Sequence, residues 1–535
     1  MRDDTPTSAD DRVRDIARAR PDDPAVIVVA GGRAGGAAGS RVREDAVLTW
    51  DELDRASAEL AARLGALAAG AVRRPVVVID ATNSADTVIG FAACMRARIP
   101  FLPLDPLAPA AEAGQVMAAL APAHWPVRLA DARDGVTPPE PPAPPEPPAA
   151  PEPSAPPEPS AAPRPSAPQG PSVRPRPGEE AGYLLATGGS SGRPRVIAHP
   201  APLDHDPVRV PSMMLRAVGW RHAQRQLIAG PLHHAAPFMC CWEGLLDANT
   251  LVLLPRFDAR EMLRAIERHR VQWAQLTPVH LRWALTALRT QDADLGSLNA
   301  VVHTAAPCPA ELKRAWIDLL GPERLFEIYG ATEAIGTTLL RGDEWLAHPG
   351  SVGRGFCTQV RVLDEDGGSV PPGAEGEVYM RRTARHAPVG RDVAPSGGGP
   401  SGLKRTVDGF FSVGDHGRVD RDGYLHLGAR RHDLVIVGGG NVYPAEVEAA
   451  IAEHPDVLDA AVIGRPDEAL GARLLALVIA RPGAGLTAEA VSAHAEARLA
   501  PHKVPWDVRF VTRLPRTEAG KLHRRRLMET EGSGV

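Results

Sequence analysis

The sequence has few cysteines, no excess of either charge and no long apolar segment. Its five cysteines, Cys94, Cys240, Cys241, Cys308 and Cys357, are scattered through 535 residues without a C-x-x-C pair. This number and spacing argue against a disulfide framework and against a zinc site built from cysteines. Buried or incidental thiols are the simpler interpretation.

The charge balance excludes whole classes of partner. Lys and Arg number 60 against 65 Asp and Glu, which gives a net charge of −5, so the basic excess of nucleic-acid-binding and membrane-seeking proteins is missing. The N-terminus lacks the apolar core of a signal peptide, and no uninterrupted apolar run approaches a spanning length. We therefore expect no nucleic-acid partner, no membrane span and a cytoplasmic location.

One low-complexity tract interrupts the chain. Residues 138–177 are proline-rich near-repeats that cannot form a packed core, and they predict a disordered, solvated spacer of polyproline II type. A docking strip for a proline-reading partner is the alternative. Apolar alternation resumes on both sides, so the insertion should loop out of one domain instead of separating two.

The rest of the chain is long enough for at least two domains, and 44% of its residues are apolar. A helix over 56–67 and a strand over 76–79 precede the tract. Strand, helix, strand and helix over 251–254, 259–269, 271–276 and 279–288 indicate an α/β sheet with crossover helices. Short turn-rich segments over 376–427 predict a small β subdomain, and the pattern over 443–499 predicts a compact α+β unit.

The most informative segment is a glycine-rich loop that follows a predicted strand over 181–186. Glycines allow the backbone to approach an anion with its N–H groups, while hydroxyls and guanidinium groups add donors and charge. A polyphosphate cradle is the functional interpretation and a solvated loop is the alternative. The loop comprises Thr187, Gly188, Gly189, Ser190, Ser191, Gly192, Arg193, Pro194 and Arg195.

Two further segments place useful side chains at the ends of apolar strands. Tyr329, Gly330, Thr332 and Glu333 combine an aromatic for a purine, a glycine turn, a hydroxyl for phosphate and a carboxylate for Mg²⁺. Asp415 ends the second segment, where an acid can accept hydrogen bonds from ribose hydroxyls. Taken alone, each segment is equally an ordinary loop or turn.

Two more segments lie toward the C-terminus. A charged connector from Arg430 leads to a strand, a glycine turn and a helix that begins near Pro444. Near the end, Lys521 follows Gly520 and is presented on a turn. An ordinary strand–turn–helix unit and a solvated lysine are the alternatives.

These five segments, in this order and at these distances, resemble the adenylate-forming superfamily of acyl-CoA synthetases, peptide-synthetase adenylation domains and luciferases. The resemblance covers nearly the whole chain and is strongest to bacterial bile-acid-CoA-ligase and fatty-acyl-CoA-ligase types. It implies an α/β fold with a multi-subdomain N-terminal adenylation domain, residues 1–431, and a small mobile α+β lid, residues 432–535. The implied enzyme is an AMP-forming acid–thiol ligase with Mg²⁺ as cofactor and ATP and CoA as co-substrates.

The resemblance also implies residue roles. Lys521, Thr332 and Glu333 are the catalytic candidates, with Glu333 on Mg²⁺. The implied ATP site consists of Thr187, Gly188, Gly189, Ser190, Ser191, Gly192, Arg195, Ala305, Ala306, Tyr329, Asp415 and Arg430. His234, Phe238 and Gly330 would bind the acid, Gly438 and Gly439 would line a CoA tunnel, and His432 would be the hinge.

Three positions depart from the family pattern. Arg195 and Ala429 replace the usual lysine and acid, and His432 stands where the hinge is usually Asp or Lys. Arginine keeps the charge but presents a planar fork, and histidine titrates near neutrality, which could make the hinge pH-sensitive. None of the three removes adenylation chemistry.

The sequence indicates the substrate less directly than it indicates the reaction. The segments around His234 and over 280–283 look apolar and partly aromatic, which favours a small aromatic or medium-sized carboxylic acid but equally fits an ordinary core. An ATP-dependent diazotase that activates nitrite to diazotise an aromatic amine is the alternative. The Ala/Arg/Pro-rich composition fits actinobacterial secondary metabolism. A degenerate ligase fold serving as a scaffold is disfavoured by Glu333, Asp415 and Lys521, and the sequence does not predict an oligomeric state.

Overall fold

The structure is a computed structural model. It describes residues 7–30, 44–69, 71, 73, 75–108, 110–120, 125–134, 182–188, 194–199, 205–383, 391–392, 403–428, 435–437, 440–442, 444–467, 470–516, 522 and 526–528.

Strands and helices alternate through these residues. The strands are β1 Pro24–Val28, β2 Ala46–Thr49, β3 Pro75–Asp80, β4 Phe101–Leu104, β5 Trp125–Arg128, β6 Tyr183–Gly188, β7 Pro194–His199, β8 Arg225–Ile228, β9 Thr250–Leu253, β10 Trp273–Leu276, β11 Ala300–His303, β12 Leu325–Gly330, β13 Thr337–Arg341, β14 Arg354–Gly355, β15 Thr358–Leu363, β16 Gly376–Arg382, β17 Arg391–Asp392, β18 Lys404–Arg405, β19 Phe411–Ser412, β20 His416–Val419, β21 Leu425–Leu427, β22 Val435–Val437, β23 Gly440–Val442, β24 Val457–Asp467, β25 Gly471–Ala480 and β26 Asp507–Phe510.

The helices are α1 Ala9–Ala19, α2 Trp50–Ala69, α3 Ala85–Ala97, α4 Ala110–Leu120, α5 Leu129–Arg133, α6 Ser212–Ala217, α7 Ala235–Leu246, α8 Ala259–Arg268, α9 Pro278–Leu288, α10 Ala310–Leu320, α11 Gly342–Ala347, α12 Pro444–Ala452 and α13 Ala488–Glu496. In this part of the chain, no helix combines the length and the apolar character needed to cross a bilayer.

The largest sheet has nine strands in the order β14-β13-β12-β11-β10-β8-β9-β1-β2. Its central strands, from β12 to β1, are parallel. Antiparallel pairing adds β2 on one side and β13 followed by β14 on the other. Parallel strands need crossover connections, and α7, α8, α9 and α10 supply them. The strand–helix alternation predicted over 251–288 is therefore present.

The second sheet has the order β17-β7-β6-β4-β3-β5. Strands β5 and β6, which precede and follow the proline-rich tract, both belong to it, with β3 and β4 between them. The chain therefore leaves and re-enters a single sheet across the tract, whose own residues 138–177 lie outside the described part.

Deleting residues 138–177 is expected to leave turnover nearly unchanged. Strands β5 and β6 lie three strand spacings apart, ~14 Å, and the seven residues that remain between 134 and 182 can reach ~23 Å. Steady-state kcat within about two-fold of the full chain is the expected measurement, because loop length has a weak effect on folding. A large fall in kcat in a variant with unchanged thermal unfolding would contradict it.

Helix α2 begins earlier than the apolar pattern predicts. The pattern favours a start at residue 56, whereas α2 starts at Trp50. The reason is a capping box: the backbone N–H of Glu52 donates to the Thr49 hydroxyl at 3.3 Å, and that of Thr49 donates to the Glu52 carboxylate at 2.9 Å. The T-x-x-E signature was in the sequence and marks such a start.

The main core lies between the two large sheets, where helices α2, α3 and α7 are packed. Trp50, Phe91, Phe101, Phe238 and Trp242 are at most 2% exposed there. A second core, on the other face of the nine-stranded sheet, is covered by α8, α9 and α10. Burial on both faces explains why the parallel strands read as continuous apolar runs.

Two smaller units follow. Strands β15, β16 and β18 to β21 form a β subdomain that begins at Thr358, earlier than the range 376–427 predicted for it. Strands β24 to β26 form a three-stranded sheet with α12 and α13 packed against it, which is the expected α+β unit. A mixed α/β fold with a large N-terminal and a smaller C-terminal part is confirmed, while the exact boundary at 431/432 stays a prediction.

Candidate active site

The glycine-rich loop connects two antiparallel strands. Thr187 pairs with Arg195, and Gly188 pairs with Pro194, across the β6–β7 hairpin. The strand predicted before the loop is therefore present and continues to Gly188. The side chain of Thr187 and residues Gly189, Ser190, Ser191 and Gly192 lie outside the described residues, so their phosphate contacts stay predictions.

Arg195 connects the glycine-rich loop with the segment that contains Thr332 and Glu333. Its Nη1 atom lies 3.8 Å from Oε1 of Glu333, although 138 residues separate the two in sequence. Glu333 and Thr332 stand in the turn that follows β12. A cationic and an anionic side chain thus face each other where the loop and this turn meet, an arrangement that can contact both phosphate and a metal ion.

Tyr329, at the end of β12, contacts the segment that ends in Asp415. Its hydroxyl donates to Oδ2 of Asp415 at 2.6 Å, and the Asp415 residue is only 5% exposed. Gly414, immediately before it, has a φ of 85°, which glycine adopts without strain. The aromatic ring proposed for adenine and the carboxylate proposed for ribose are therefore neighbours. Gly330, next along β12, pairs with Thr337 on β13.

The segment with Ala305 and Ala306, which belong to the implied ATP site, follows β11. Strands β11 and β12 are parallel neighbours, and Ala305 and Ala306 come just after β11 in an exposed position. Ala305 has a φ of 76°, which is unusual for a residue with a Cβ atom. Ligands of open α/β sheets bind in the crevice at the carboxyl ends of strands, and these alanines and Tyr329 lie at that edge.

A buried polar cluster lies beneath this edge. Lys313 Nζ is 2.5 Å from Glu327 Oε2, and Glu327 Oε1 is 3.7 Å from Nδ1 of His303. Burial raises the pKa of Glu327 although Lys313 opposes the shift, and burial together with Lys313 lowers the pKa of His303. Sequence reasoning missed this cluster, whose signal was a histidine and a glutamate inside two apolar strands.

His234 and Phe238 are placed differently. His234 precedes α7 with extended backbone, and its ring centroid lies 4.4 Å from that of His233. Phe238 is 1% exposed; it packs edge-on against Phe91 with ring centroids 5.2 Å apart and in a tilted orientation against Tyr183 with centroids 5.0 Å apart. The half-buried His234 remains a candidate for the acid site, and Phe238 contributes to the aromatic core behind it.

The C-terminal motifs are described only at their edges. Arg516 and Leu522 form an antiparallel bridge. Lys521 itself lies outside the described residues, as do Arg430, His432, Gly438 and Gly439. Their roles stay predictions.

The residues present suit Mg²⁺. Glu333 places a carboxylate, 15% exposed, in the turn after β12, and Mg²⁺ is typically bound by one or two carboxylates together with substrate phosphates. Glu333 is the residue that would hold the ion, which would neutralise phosphate charge during adenylation.

Arg195 can be tested directly. We expect Arg195→Ala to raise the KM for ATP about ten-fold, because it removes one charge-assisted contact of ~1.5 kcal/mol, and Arg195→Lys to restore most of it. Steady-state kinetics at varied MgATP measures both, with Arg465→Ala on β24 as control. Equal KM values for all three variants would contradict a role at the phosphates.

An α/β architecture with charged and aromatic side chains at the carboxyl edge of a parallel sheet is the arrangement in which open α/β proteins bind nucleotides and other ligands. Residues 13–385 match the family described as AMP-binding enzyme, and residues 446–521 match the AMP-binding enzyme C-terminal domain. The chain belongs to the AMP-binding enzyme family. The expected enzyme class, an AMP-forming ligase of the acyl-CoA synthetase type, is confirmed.

Curated relatives include feruloyl-CoA synthase from Amycolatopsis sp, which is 35% identical over 346 residues, 63% of this chain and 67% of that protein. Indoleacetate–CoA ligase from Aromatoleum aromaticum is 35% identical over 304 residues, 56% of this chain and 58% of its own length. Among solved structures, o-succinylbenzoate CoA synthetase from Bacillus subtilis with its acyl-adenylate OSB-AMP has a TM-score of 0.71 at 21% identity and covers 98% of both chains.

Proposed function

We propose that the chain is an ATP-dependent, AMP- and pyrophosphate-forming ligase that adenylates a small aromatic or medium-sized carboxylic acid and transfers the acyl group to CoA. The observation on which the proposal depends is the meeting of two pairs, Arg195 with Glu333 and Tyr329 with Asp415, next to the carboxyl edge of β11 and β12. Relatives that act on ferulate and indoleacetate support an aromatic acid. Actinobacterial secondary metabolism stays a prediction from composition.

The chemistry follows from charge. A carboxylate must attack the α-phosphorus of ATP although both are anions, so the site must offset their repulsion and stabilise the added charge of the transition state. Residues 187–192 and Thr332 would hold the phosphates, and Arg195 would supply positive charge beside Glu333. Asp415 and Arg430 would hold the ribose, with Tyr329 and Ala305 and Ala306 at adenine.

Lys521 would complete the site only in one domain arrangement. Its charge would stabilise the α-phosphate and the acyl oxygen while pyrophosphate leaves. Rotation at His432 would then withdraw Lys521 and present Gly438 and Gly439, so that the CoA thiol attacks the acyl carbon and AMP departs. Such gating separates two half-reactions in one site.

The decisive experiment is pyrophosphate release by the full chain across a panel of aryl and medium-chain carboxylic acids, with and without CoA. Release that depends on an aromatic acid, with thioester formed when CoA is added, is the expected result. A parallel arm supplies nitrite and an aminoarene. Release that requires nitrite would overturn the acid assignment in favour of a diazotase, and acid-dependent release without thioester would overturn CoA as acceptor.

A further inference from the structure

Outside the nucleotide site, two histidines and two aspartates from separate parts of the chain converge. His348 follows α11, Asp420 and Asp422 form the turn between β20 and β21, and His426 lies on β21. Nδ1 of His348 lies 3.3 Å from Asp420 Oδ2, and Nε2 of His426 lies 3.0 Å from the same oxygen. We propose that His348, Asp420 and Asp422 form a binding site for a divalent transition-metal ion such as Zn²⁺.

The donor atoms of these three residues are grouped within a few ångströms. One ligand atom each from His348, Asp420 and Asp422 can be chosen so that all lie within 4.8 Å of one another. Tetrahedral zinc with bonds of ~2.0–2.1 Å separates neighbouring ligands by roughly 3.3 Å, the distance found between His348 Nδ1 and Asp420 Oδ2. Three protein ligands leave the fourth position to water.

The donors are held in place by a second layer of contacts. His348 stacks on Tyr424 with ring centroids 3.8 Å apart and an interplanar angle of 18°. The other oxygen of Asp420 accepts backbone N–H bonds from Asp422 at 3.0 Å and Tyr424 at 2.8 Å, which directs Oδ2 toward the imidazoles. His426, whose side chain is 10% exposed, orients that oxygen from the protein side, as outer-layer partners of metal ligands do.

The donor set selects the class of metal. An imidazole nitrogen favours zinc, nickel or cobalt over magnesium and calcium, which prefer all-oxygen shells. The site is separate from the Mg²⁺ position proposed at Glu333. Strand β20 leads from Asp415, the proposed ribose ligand, to Asp420 over about 16 Å of extended chain. Because the proposed metal ligands include no residue of the nucleotide site, metal binding is measured in the absence of ATP.

The test is calorimetric titration of the metal-stripped full chain with Zn²⁺ in the absence of ATP and with excess Mg²⁺. One site is expected that Mg²⁺ does not block. His348→Phe removes the nitrogen ligand but keeps a ring on Tyr424, and Asp422→Asn removes the charge of an exposed carboxylate. Each should weaken zinc binding by at least ~10-fold, the lower end of the effect seen for partners outside the coordination shell.

A matched control is available in another turn. Asp366 occupies an exposed turn in which Asp364 accepts backbone N–H bonds at 3.1 and 2.7 Å, and Asp366→Asn should bind zinc like the parent chain. Thermal unfolding of each variant confirms that it is folded. Failure of the parent chain to bind Zn²⁺, or unchanged affinity in both His348→Phe and Asp422→Asn, would overturn the proposal.

Discussion

Replacing Lys521 with alanine is expected to abolish formation of the acyl-adenylate while ATP binding largely survives. The lysine is proposed to contact charge that develops at the α-phosphate and acyl oxygen in the transition state, and removing one such contact typically costs 10²–10³-fold in kcat. Single-turnover pyrophosphate release should therefore fall by at least ~100-fold. The Kd for ATP should change only a few-fold, because ground-state binding would rest on the N-terminal residues.

Lys503 provides the matched control in the same domain. Its Nζ lies 2.7 Å from Oε1 of Glu446 in an exposed pair, and exposed pairs contribute little to stability. Lys503→Ala should release pyrophosphate at the parent rate. Pyrophosphate release by Lys521→Ala at the parent rate would contradict the assignment of Lys521. Equal losses of pyrophosphate release in both variants would show a general defect of the C-terminal domain.

Local patterns predict most of the fold. Alternation of apolar runs with helical periods marks β9, α8, β10 and α9 within two residues of their observed bounds, since buried parallel strands and crossover helices impose distinct periods. The missed start of α2 shows the complementary case. The start of α2 is fixed by hydrogen bonds between Thr49 and Glu52. Both residues are polar, so the apolar periodicity does not indicate this start.

Local sequence patterns do not predict the contacts of the candidate site. Nothing near Arg195 indicates Glu333, and nothing near Tyr329 indicates Asp415, because each contact joins segments brought together by sheet topology. Only the resemblance to a family placed these residues together. Local sequence does not predict the burial of Phe238 either, because Phe238 packs against Phe91 and Tyr183, which are distant in the sequence.

The second large effect is expected in the pH dependence of stability. Glu243 on α7 is 4% exposed and accepts a hydrogen bond from the Ser212 hydroxyl at 2.6 Å. Burial raises its pKa from 4.5 to about 7. Between pH 4.5 and 7, Glu243 is protonated in the folded chain and ionised in the unfolded chain. The free energy of unfolding therefore falls as the pH rises. The total change is about 3 kcal/mol, at 1.36 kcal/mol per pKa unit.

Glu243→Gln should remove this dependence, because the amide oxygen still accepts from Ser212 and carries no charge. Its unfolding temperature should match the parent near pH 4 and exceed it at pH 8, as measured by scanning calorimetry. The pKa of Asp247 is shifted in the opposite direction. Burial acts to raise it, but hydrogen bonds from His222 and Trp220 outweigh burial and lower the pKa below 3.8. The ionised carboxylate therefore stabilises the fold above pH 3.8, and this stabilisation is lost in acid. Asp247→Asn should therefore destabilise at pH 8 and converge with the parent at low pH. A constant offset between Glu243→Gln and the parent across this range would show that Glu243 is ionised when buried.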